Sequence, residues 1–169
     1  TGTVEETDIM GATSGGVNFT ATPTYSDFGE DIDNCPVNVL ELKRLDSWEV
    51  LMSGTFITVS TTLVKDLIGA ADIDGSDTTK VVPRNDVATT DFKDIWWVGD
   101  YSDKNGETKG GFVAIHMLNG LSTGGFQLQS GNREKGQFEF EFTGHYSINA
   151  QDTVPFEVYV KAGTDEEAA

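Results

Sequence analysis

Apolar and polar residues alternate along most of this chain, which is the pattern of β-strands that bury one face. The clearest run places Phe138, Phe140 and Phe142 on one face and Glu139 and Glu141 on the other. Shorter stretches with strand character predict further strands at residues 17–22, 48–53, 95–98, 111–118, 125–129 and 154–160.

Several details of these strands are specific predictions. Pro23 is expected to interrupt the first strand, because proline has no N–H to donate to a neighbour. The apolar phase changes between Met52 and Ile57, which predicts a bulge or tight turn at Gly54, since the side-chain period of a strand is two. Residues 95–98 are predicted to form a buried strand, and the last strand is expected to point these side chains inward: Phe156, Val158 and Val160.

One short helix is predicted between the strands. Ser60 or Thr61 can cap it, and Gly69 can end it. Its single apolar stripe consists of Leu63, Val64, Leu67 and Ile68. Two polar segments flank this region, an acidic loop at 27–38 and an Asp- and Thr-rich connection at 70–91. A long polar connection inside a compact domain indicates a functional or interface loop.

These elements predict an all-β fold, mainly an antiparallel β-sandwich or barrel, with one short flanking α-helix. The 169 residues suit one domain at 17–161, with a flexible N-terminal arm at 1–16 and an acidic tail at 162–169. No apolar run approaches the roughly 18 residues that a membrane helix needs. We therefore expect no membrane-spanning segment, and we also expect no secretory signal.

The charge of the chain is strongly acidic, with 28 Asp and Glu against 11 Lys and Arg and a net charge of −17. Residues 1–42 contain eight acids and no Lys or Arg. Such a surface cannot bind a nucleic acid by neutralising its phosphates, although it could repel one. Solubility or a salty habitat would explain the same acidity.

Candidate catalytic and metal-binding motifs are weak. Ser122 lies in a Gly-x-Ser-x-Gly string, but a strand rather than a helix is predicted to follow, unlike a hydrolase nucleophile elbow. The Asp72–Asp77 stretch resembles part of a calcium loop, yet Pro83 occupies the position that requires a glutamate. His116 and His145 lie on separate strands without a ligand cluster, and Cys35 has no Cys-His motif around it. The chain is therefore predicted not to be an enzyme and to hold no metal or cofactor.

Several short motifs follow one another in a fixed order over residues 11–160. The first three are Gly-Ala-Thr-Ser-Gly-Gly-Val-Asn-Phe-Thr from residue 11, Asp-Ser-Trp-Glu-Val from residue 46, and the strand–helix stretch that ends in Ile-Gly-Ala at 68–70. The fourth is Asp-Ile-Trp-Trp-Val-Gly-Asp-Tyr-Ser-Asp from residue 94. The C-terminal ones are Asn-Gly-Leu-Ser-Thr-Gly-Gly from residue 119, Gly-Gln-Phe-Glu-Phe-Glu-Phe-Thr-Gly-His-Tyr-Ser from residue 136 and Val-Pro-Phe-Glu from residue 154. This order resembles the major tail proteins, or tail tube proteins, of siphophages and prophages of Gram-positive bacteria.

The resemblance implies a tail-tube fold, six copies of which close into a ring whose strands surround a lumen. Rings would stack into a tube through extended loops and terminal arms. Genomic DNA would pass through the lumen without specific binding, and carboxylates on the wall would repel it. Glu49, Glu139 and Glu141 are the candidate lumen-facing acids. Candidate contacts between subunits or rings lie in the arm at 1–16 and in the two polar segments, at Asp27, Glu30, Asp31, Asp33, Asp72, Asp74, Asp77 and Arg84.

The same resemblance implies further partners and a location. The other tail proteins would be the tape measure, the tail terminator and the distal tail protein, and the chain would belong to the virion after assembly in the bacterial cytoplasm. With only 11 basic residues, ring stacking cannot rest mainly on salt bridges. No membrane partner is implied.

Three alternatives remain open from the sequence. The tube of a contractile tail or of a type VI secretion system would share the fold. A carbohydrate-binding β-sandwich would use Trp96 or Trp97 as its sugar platform, and only one of them, since neighbours on a strand point to opposite faces. An enzyme acting through Ser122 is the third alternative.

Overall fold

The computed structural model describes residues 9–100 and 111–162, and every strand pair within them is antiparallel. Besides two short 3₁₀ turns, Leu40–Leu42 and Thr89–Asp91, the elements in chain order are β1 Thr13–Asp27, β2 Lys43–Phe56, α1 Thr61–Ile68, β3 Ala71–Ile73, β4 Val81–Pro83, β5 Lys93–Asp100, β6 Phe112–Ser122, β7 Gln127–Gln129, β8 Gln137–Gly144 and β9 Phe156–Lys161. The predicted all-β fold with one flanking helix is confirmed.

The main sheet has the strand order β1-β2-β8-β6-β5, with β7 paired to β8 and β9 paired to β6. Within the described part of the chain, strand pairing joins its two halves only where Gly120–Ser122 of β6 pair with the end of β8. We call β1-β2-β8-β7 the front sheet and β5-β6-β9 the back sheet. The ring of Phe156 in the back sheet lies 5.7 Å from that of Phe19 and 5.4 Å from that of Trp48, centroid to centroid, so the two sheets face each other.

The core lies between the two sheets and under the helix. Its buried side chains are Val50, Met52 and Phe56 of β2, Leu63 and Leu67 of α1, Ile95 of β5, Met117 of β6, and Phe138, Phe140 and Phe142 of β8. The inward face predicted for β8 is confirmed, and so is the apolar face that the sequence predicts for the 48–53 strand, Trp48, Val50 and Met52. Burial of each such side chain contributes roughly 1.5–3 kcal/mol relative to exposure.

The helix has the predicted ends. The Ser60 hydroxyl accepts a hydrogen bond from the Leu63 N–H at 3.1 Å, and Gly69 follows the helix with a φ of 85° that favours glycine. Within the described residues, no helix is long and apolar enough to cross a membrane.

Two predictions about the β1–β2 hairpin are wrong. β1 runs through Pro23, because β1 is the outer strand of the front sheet and the missing N–H costs no ladder bond on that side. It also begins at Thr13, so residues 13–16 belong to the sheet rather than to the arm, and residues 1–8 of the arm lie outside the described range.

The bulge predicted at Gly54 lies instead in the partner strand. The register with β1 shifts between Thr13 and Val17, where Gly15 and Gly16 both have positive φ, while β2 keeps its register with β8. A Cβ at Gly54 would lie 2.8 Å from the Phe140 ring, so this glycine admits a core aromatic. The buried Phe56 keeps the apolar phase of β2 to its end.

The back sheet is less covered than the sequence suggested. Residues 95–98 are not uniformly buried: Ile95 is in the core, but Trp96 and Val98 are exposed on the opposite face. Val158 and Val160 share the side of Phe156 yet are exposed, because they lie toward the end of the back sheet that is away from β8.

The connection at 70–91 is not a structureless loop. β3 and β4 form a small hairpin that packs beside α1, with Asp72 paired to Val82 in the ladder. The Asn105-Gly106 dipeptide, which favours a tight hairpin turn between the strands at 95–98 and 111–118, and the tail from residue 163 lie outside the described residues.

Candidate assembly surfaces

The three acids predicted to face a lumen lie on one face of the front sheet. Glu139 pairs with Thr55 and Glu141 with Ser53 across β2 and β8, and Glu49 of β2 has the same parity as these partners. Paired residues in a sheet point to the same side. All three carboxylates are exposed and lie opposite the phenylalanines of β8.

Apart from those three acids, the residues on this outward face of the front sheet are uncharged, and nearly all of them are polar. Its members over 18–24, 47–55, 127–129 and 137–143 include no Lys or Arg, and Leu51 is the apolar exception. They are Asn18, Thr20, Thr22 and Thr24 of β1, Ser47, Glu49, Leu51, Ser53 and Thr55 of β2, Gln127 and Gln129 of β7, and Gln137, Glu139, Glu141 and Thr143 of β8. We call this surface the polar face.

The turn after β6 lies against the polar face. The Thr123 hydroxyl donates to the Glu141 carboxylate at 3.2 Å and lies 2.8 Å from the Thr143 hydroxyl. A shallow cavity of about 280 Å³ opens beside it, with Glu139 and Glu141 in its lining. This surface therefore presents hydroxyls, amides and carboxylates without a neutralising cation.

The distal part of the β1–β2 hairpin extends beyond the rest of the front sheet. β8 pairs with β2 only over Val50–Phe56, whereas the β1–β2 ladder continues to Asp27 paired with Lys43. The distal part is therefore a two-stranded ribbon, which is marginally stable in water when it packs against nothing else.

The tip of this ribbon carries exposed apolar side chains. They are about half exposed or more, and Leu40 is 85% exposed. The set is Tyr25, Phe28, Ile32, Val37, Leu40 and Leu45, and we call it the apolar tip. The sequence prediction had named only the acids of this loop, because isolated apolar residues in a polar segment show no period.

Among the predicted contact residues in this loop, Glu30, Asp31 and Asp33 are exposed. Asp27 instead shapes the loop: its carboxylate accepts hydrogen bonds from the Gly29 N–H at 2.9 Å and the Asn38 N–H at 2.7 Å. These two backbone donors lower the pKa of Asp27.

The predicted contact residues of the 70–91 segment are bonded within the chain. Arg84 lies 2.9 Å from Asp72 through Nε and 2.6 Å from Asp91 through Nη2. Asp74 and Asp77 accept hydrogen bonds from the backbone N–H groups of residues two positions ahead, as in Asx-turns. The sequence patterns did not point to Asp91, because no local feature of a sequence indicates that an Asp side chain will be buried. A role for the segment between subunits stays a prediction.

The weak catalytic and metal motifs have structural contacts of their own. The Ser122 hydroxyl donates to the Leu67 carbonyl at 2.7 Å, which ties β6 to the end of α1, and β7 rather than a helix follows. His145 approaches the Asn119 carbonyl at 3.2 Å. Among the described residues, no cluster of three His, Cys, Asp or Glu is placed to hold a metal ion.

An aromatic patch occupies the outer face of the back sheet. Trp96 stacks on His116 with centroids 4.0 Å apart and planes 9° apart, and Tyr159 lies 5.5 Å from Trp96. The Tyr159 hydroxyl donates to Glu157 and, with His116, lowers the pKa of that carboxyl. Trp97 packs against the core on the other side, so Trp96 is the exposed member of the pair.

Comparison with known proteins adds no family to this picture. A scan against protein-family models finds no match to this chain, and a search of curated proteins finds no significant relative.

Proposed function

We propose that the chain is the structural subunit of a phage tail tube, in which rings of six copies stack around a lumen that the genome crosses. The observation that carries this proposal is the polar face, a four-stranded surface with Glu49, Glu139 and Glu141 and without Lys or Arg. In the assembled tube this face lines the lumen.

A channel for DNA must let a polyanion slide without binding it. Lys and Arg on the wall would bind phosphates and release counterions, whereas carboxylates repel them. Charges act over about 8–10 Å in physiological salt, so the sign of the wall residues matters more than the net charge of the subunit. Hydroxyls and amides keep the wall wet without adding positive charge.

The front sheet also has edges that a neighbour could extend. Among the residues that the structure describes, β1 pairs only with β2 and β7 only with β8. Unpaired strand edges favour pairing with another chain. Six copies of four strands would give a cylinder of about 24 strands, and sheets closed from 16–18 strands already leave an aqueous channel.

The apolar tip supports assembly along the tube axis. Exposed apolar patches of several hundred Å² mark interaction sites, and a thin ribbon gains stability when its end docks on another subunit. The tape measure, tail terminator and distal tail protein are the further partners of this proposal, and the virion is its location.

Negative-stain electron microscopy of the purified protein tests the proposal. We expect rings or tubes with a hollow centre at high protein concentration. A protein that stays strictly monomeric at every concentration and salt condition would overturn the tail-tube function.

Carbohydrate binding is the second candidate, and the aromatic patch favours it. Trp96 stacks on His116 and lies 5.5 Å from Tyr159, and it is still 53% exposed, so part of the indole is accessible to a sugar ring. Titration of a monomeric sample with cellohexaose and with chitohexaose, followed by tryptophan fluorescence, tests this function. Binding that Trp96→Ala abolishes would support it, and an unchanged spectrum with both sugars would count against it.

A further inference from the structure

An apolar groove lies between α1 and the β3–β4 hairpin. Its volume is about 500 Å³, and its apolar lining consists of Val59, Val64, Ile68, Val81 and Phe126. Val59 is 62% exposed and Phe126 is 42% exposed, so the groove is open to solvent. Ser60, Thr61 and Thr79 complete the lining. We call this surface the helix groove.

The helix groove and the apolar tip lie at opposite ends of the β1–β2 hairpin. The chain enters α1 shortly after Phe56, whose ladder partner is Thr13, whereas the tip follows the pair of Asp27 and Lys43. Thirteen residue steps separate Lys43 from Phe56 along β2. At about 3.3 Å per step, the two surfaces are roughly 40 Å apart along the hairpin. The tip therefore cannot reach the groove of its own copy.

We propose that the apolar tip of one copy inserts into the helix groove of the next copy along the tube. This inference rests on the proposed tail-tube function and specifies which surfaces join successive rings. A contact between two different surfaces of the same protein does not close on itself when the copies are related by translation. It therefore continues from ring to ring and fits a tube of indefinite length.

The area of the tip suits a second copy. Six large side chains that are about half exposed or more leave on the order of several hundred Å² of apolar surface, as much as the largest patches on monomeric proteins. A standard interface buries about 800 Å² on each partner. The tip could thus supply much of one such surface, and every copy offers both a tip and a groove.

Charge also favours an apolar contact over an ionic one. Over 28–42 the tip carries Glu30, Asp31 and Asp33 without Lys or Arg, and the cations Lys43 and Arg44 lie at its base. Lys43 already donates to Asn38 at 2.9 Å, and Lys80, beside the groove, already lies 3.2 Å from Asp74. Ion pairs between exposed groups of this kind contribute little. Burial of apolar side chains must therefore provide most of the attraction between rings.

Two variants separate the halves of the contact. Leu40→Glu places a charge on the tip, and Val59→Glu places one in the groove. Ile148→Glu is the matched control, because Ile148 is 82% exposed in the turn after β8 and belongs to neither surface. All three sites are exposed, and circular dichroism checks that each variant folds. We expect the first two variants to form rings but at least about tenfold less pelletable tube, since a charge is costly to bury in an apolar contact. The control should assemble like the unmodified chain.

Mixing the two variants gives a second measurement. The intact tip of Val59→Glu fits the intact groove of Leu40→Glu, so an equimolar mixture should form pairs of rings that do not elongate. The unmodified tube should show an axial repeat of about 40 Å, the span of the hairpin.

The outcomes distinguish this contact from the function on which it rests. Normal tubes from both Glu variants would overturn the tip-in-groove contact and leave the tail-tube function standing. Absence of rings and tubes from the unmodified chain would overturn the function itself.

Discussion

A single guanidinium nitrogen of Arg84, Nη2, donates to both carboxylate oxygens of Asp91, at 2.6 and 2.7 Å. The Asp91 side chain is buried, and its Oδ2 also accepts the Ala88 N–H at 2.8 Å. Asp72 approaches the same arginine from β3. One cation therefore joins the β3–β4 hairpin to the turn that precedes β5.

Arg84→Met should lower the melting temperature by roughly 5–10 °C, because it leaves the buried Asp91 carboxylate without its cation. Lys80→Met is the matched control: it removes an exposed ion pair with Asp74 and should change the melting temperature little. Differential scanning calorimetry of both variants checks this. Equal effects of the two substitutions would contradict the structural importance of Arg84.

Acid should destabilise the fold, with Asp91 as a contributor. Burial alone would raise the pKa of Asp91, but the hydrogen bonds from Ala88 and Arg84 outweigh it and hold the pKa below its usual 3.8. A group whose pKa is lowered in the folded state stabilises that state above the unfolded pKa of about 3.9, and this stability is lost as the pH falls through the folded pKa. The carboxyls of Asp27, Asp74, Asp77 and Glu157 are shifted in the same direction.

Urea unfolding at pH 5, 4 and 3, followed by tryptophan fluorescence, measures this dependence. Asp91→Asn should be less stable at pH 7 and should lose less further stability on acidification than the unmodified chain. A parallel pH dependence in the two proteins would show that Asp91 does not contribute.

Gly54→Ala should destabilise the monomer by about 1–3 kcal/mol, the usual cost of overpacking a core. The added Cβ would lie 2.8 Å from the Phe140 ring and 3.0 Å from the Gly16 carbonyl oxygen. Gly75→Ala is the control, since no atom lies within 4 Å of the Cβ position there. Chemical denaturation compares the two, and a neutral Gly54→Ala would mean that Phe140 can move aside.

Reversing charge on the polar face should create DNA affinity. We expect the double substitution Glu139→Lys and Glu141→Lys to bind duplex DNA at low salt and to release it as salt rises, because the new cations displace counterions from phosphates. The control is the double substitution Glu30→Lys and Asp31→Lys on the hairpin loop, which gives the protein the same net charge but places the new cations away from the polar face. In assembled tubes, only the polar-face variant should retain DNA in the lumen, and equal retention by both would contradict the placement of that face.

Salt should promote tube formation. Copies with a net charge of −17 repel one another, and the screening length falls from about 30 Å at 0.01 M salt to about 3 Å at 1 M. Sedimentation of polymer across a sodium chloride series measures the effect. A decrease in polymer with rising salt would indicate that ionic attraction, rather than apolar contact, joins the subunits.

Much of the fold followed from local patterns. The alternation through Phe138, Phe140 and Phe142 predicted the inward face of β8, and Ser60 and Gly69 marked the ends of α1. These signals are readable because a strand's period of two and a helix cap depend on residues close in sequence. The prediction failed at Pro23, because an outer strand tolerates proline and the strand order is not a local property.

The candidate surfaces were only partly predictable. The sequence placed Glu139 and Glu141 on a polar strand face, but the addition of Glu49 depends on the register between β2 and β8, whose segments are about ninety residues apart in the chain. The exposed tip and the helix groove were not predicted, since neither has a sequence period.

The sequence by itself determined the strand faces, the helix, the acidity and the weakness of the catalytic motifs, because these depend on composition and near neighbours. Tertiary structure alone decided that Trp96 is exposed and Trp97 packed, that Asp91 is buried against Arg84, and that the hairpin extends past β8. Each of these depends on which distant strand covers a face and where that cover ends. Pairing between strands that are far apart in the sequence decides where a face is covered, so a local sequence pattern cannot predict it.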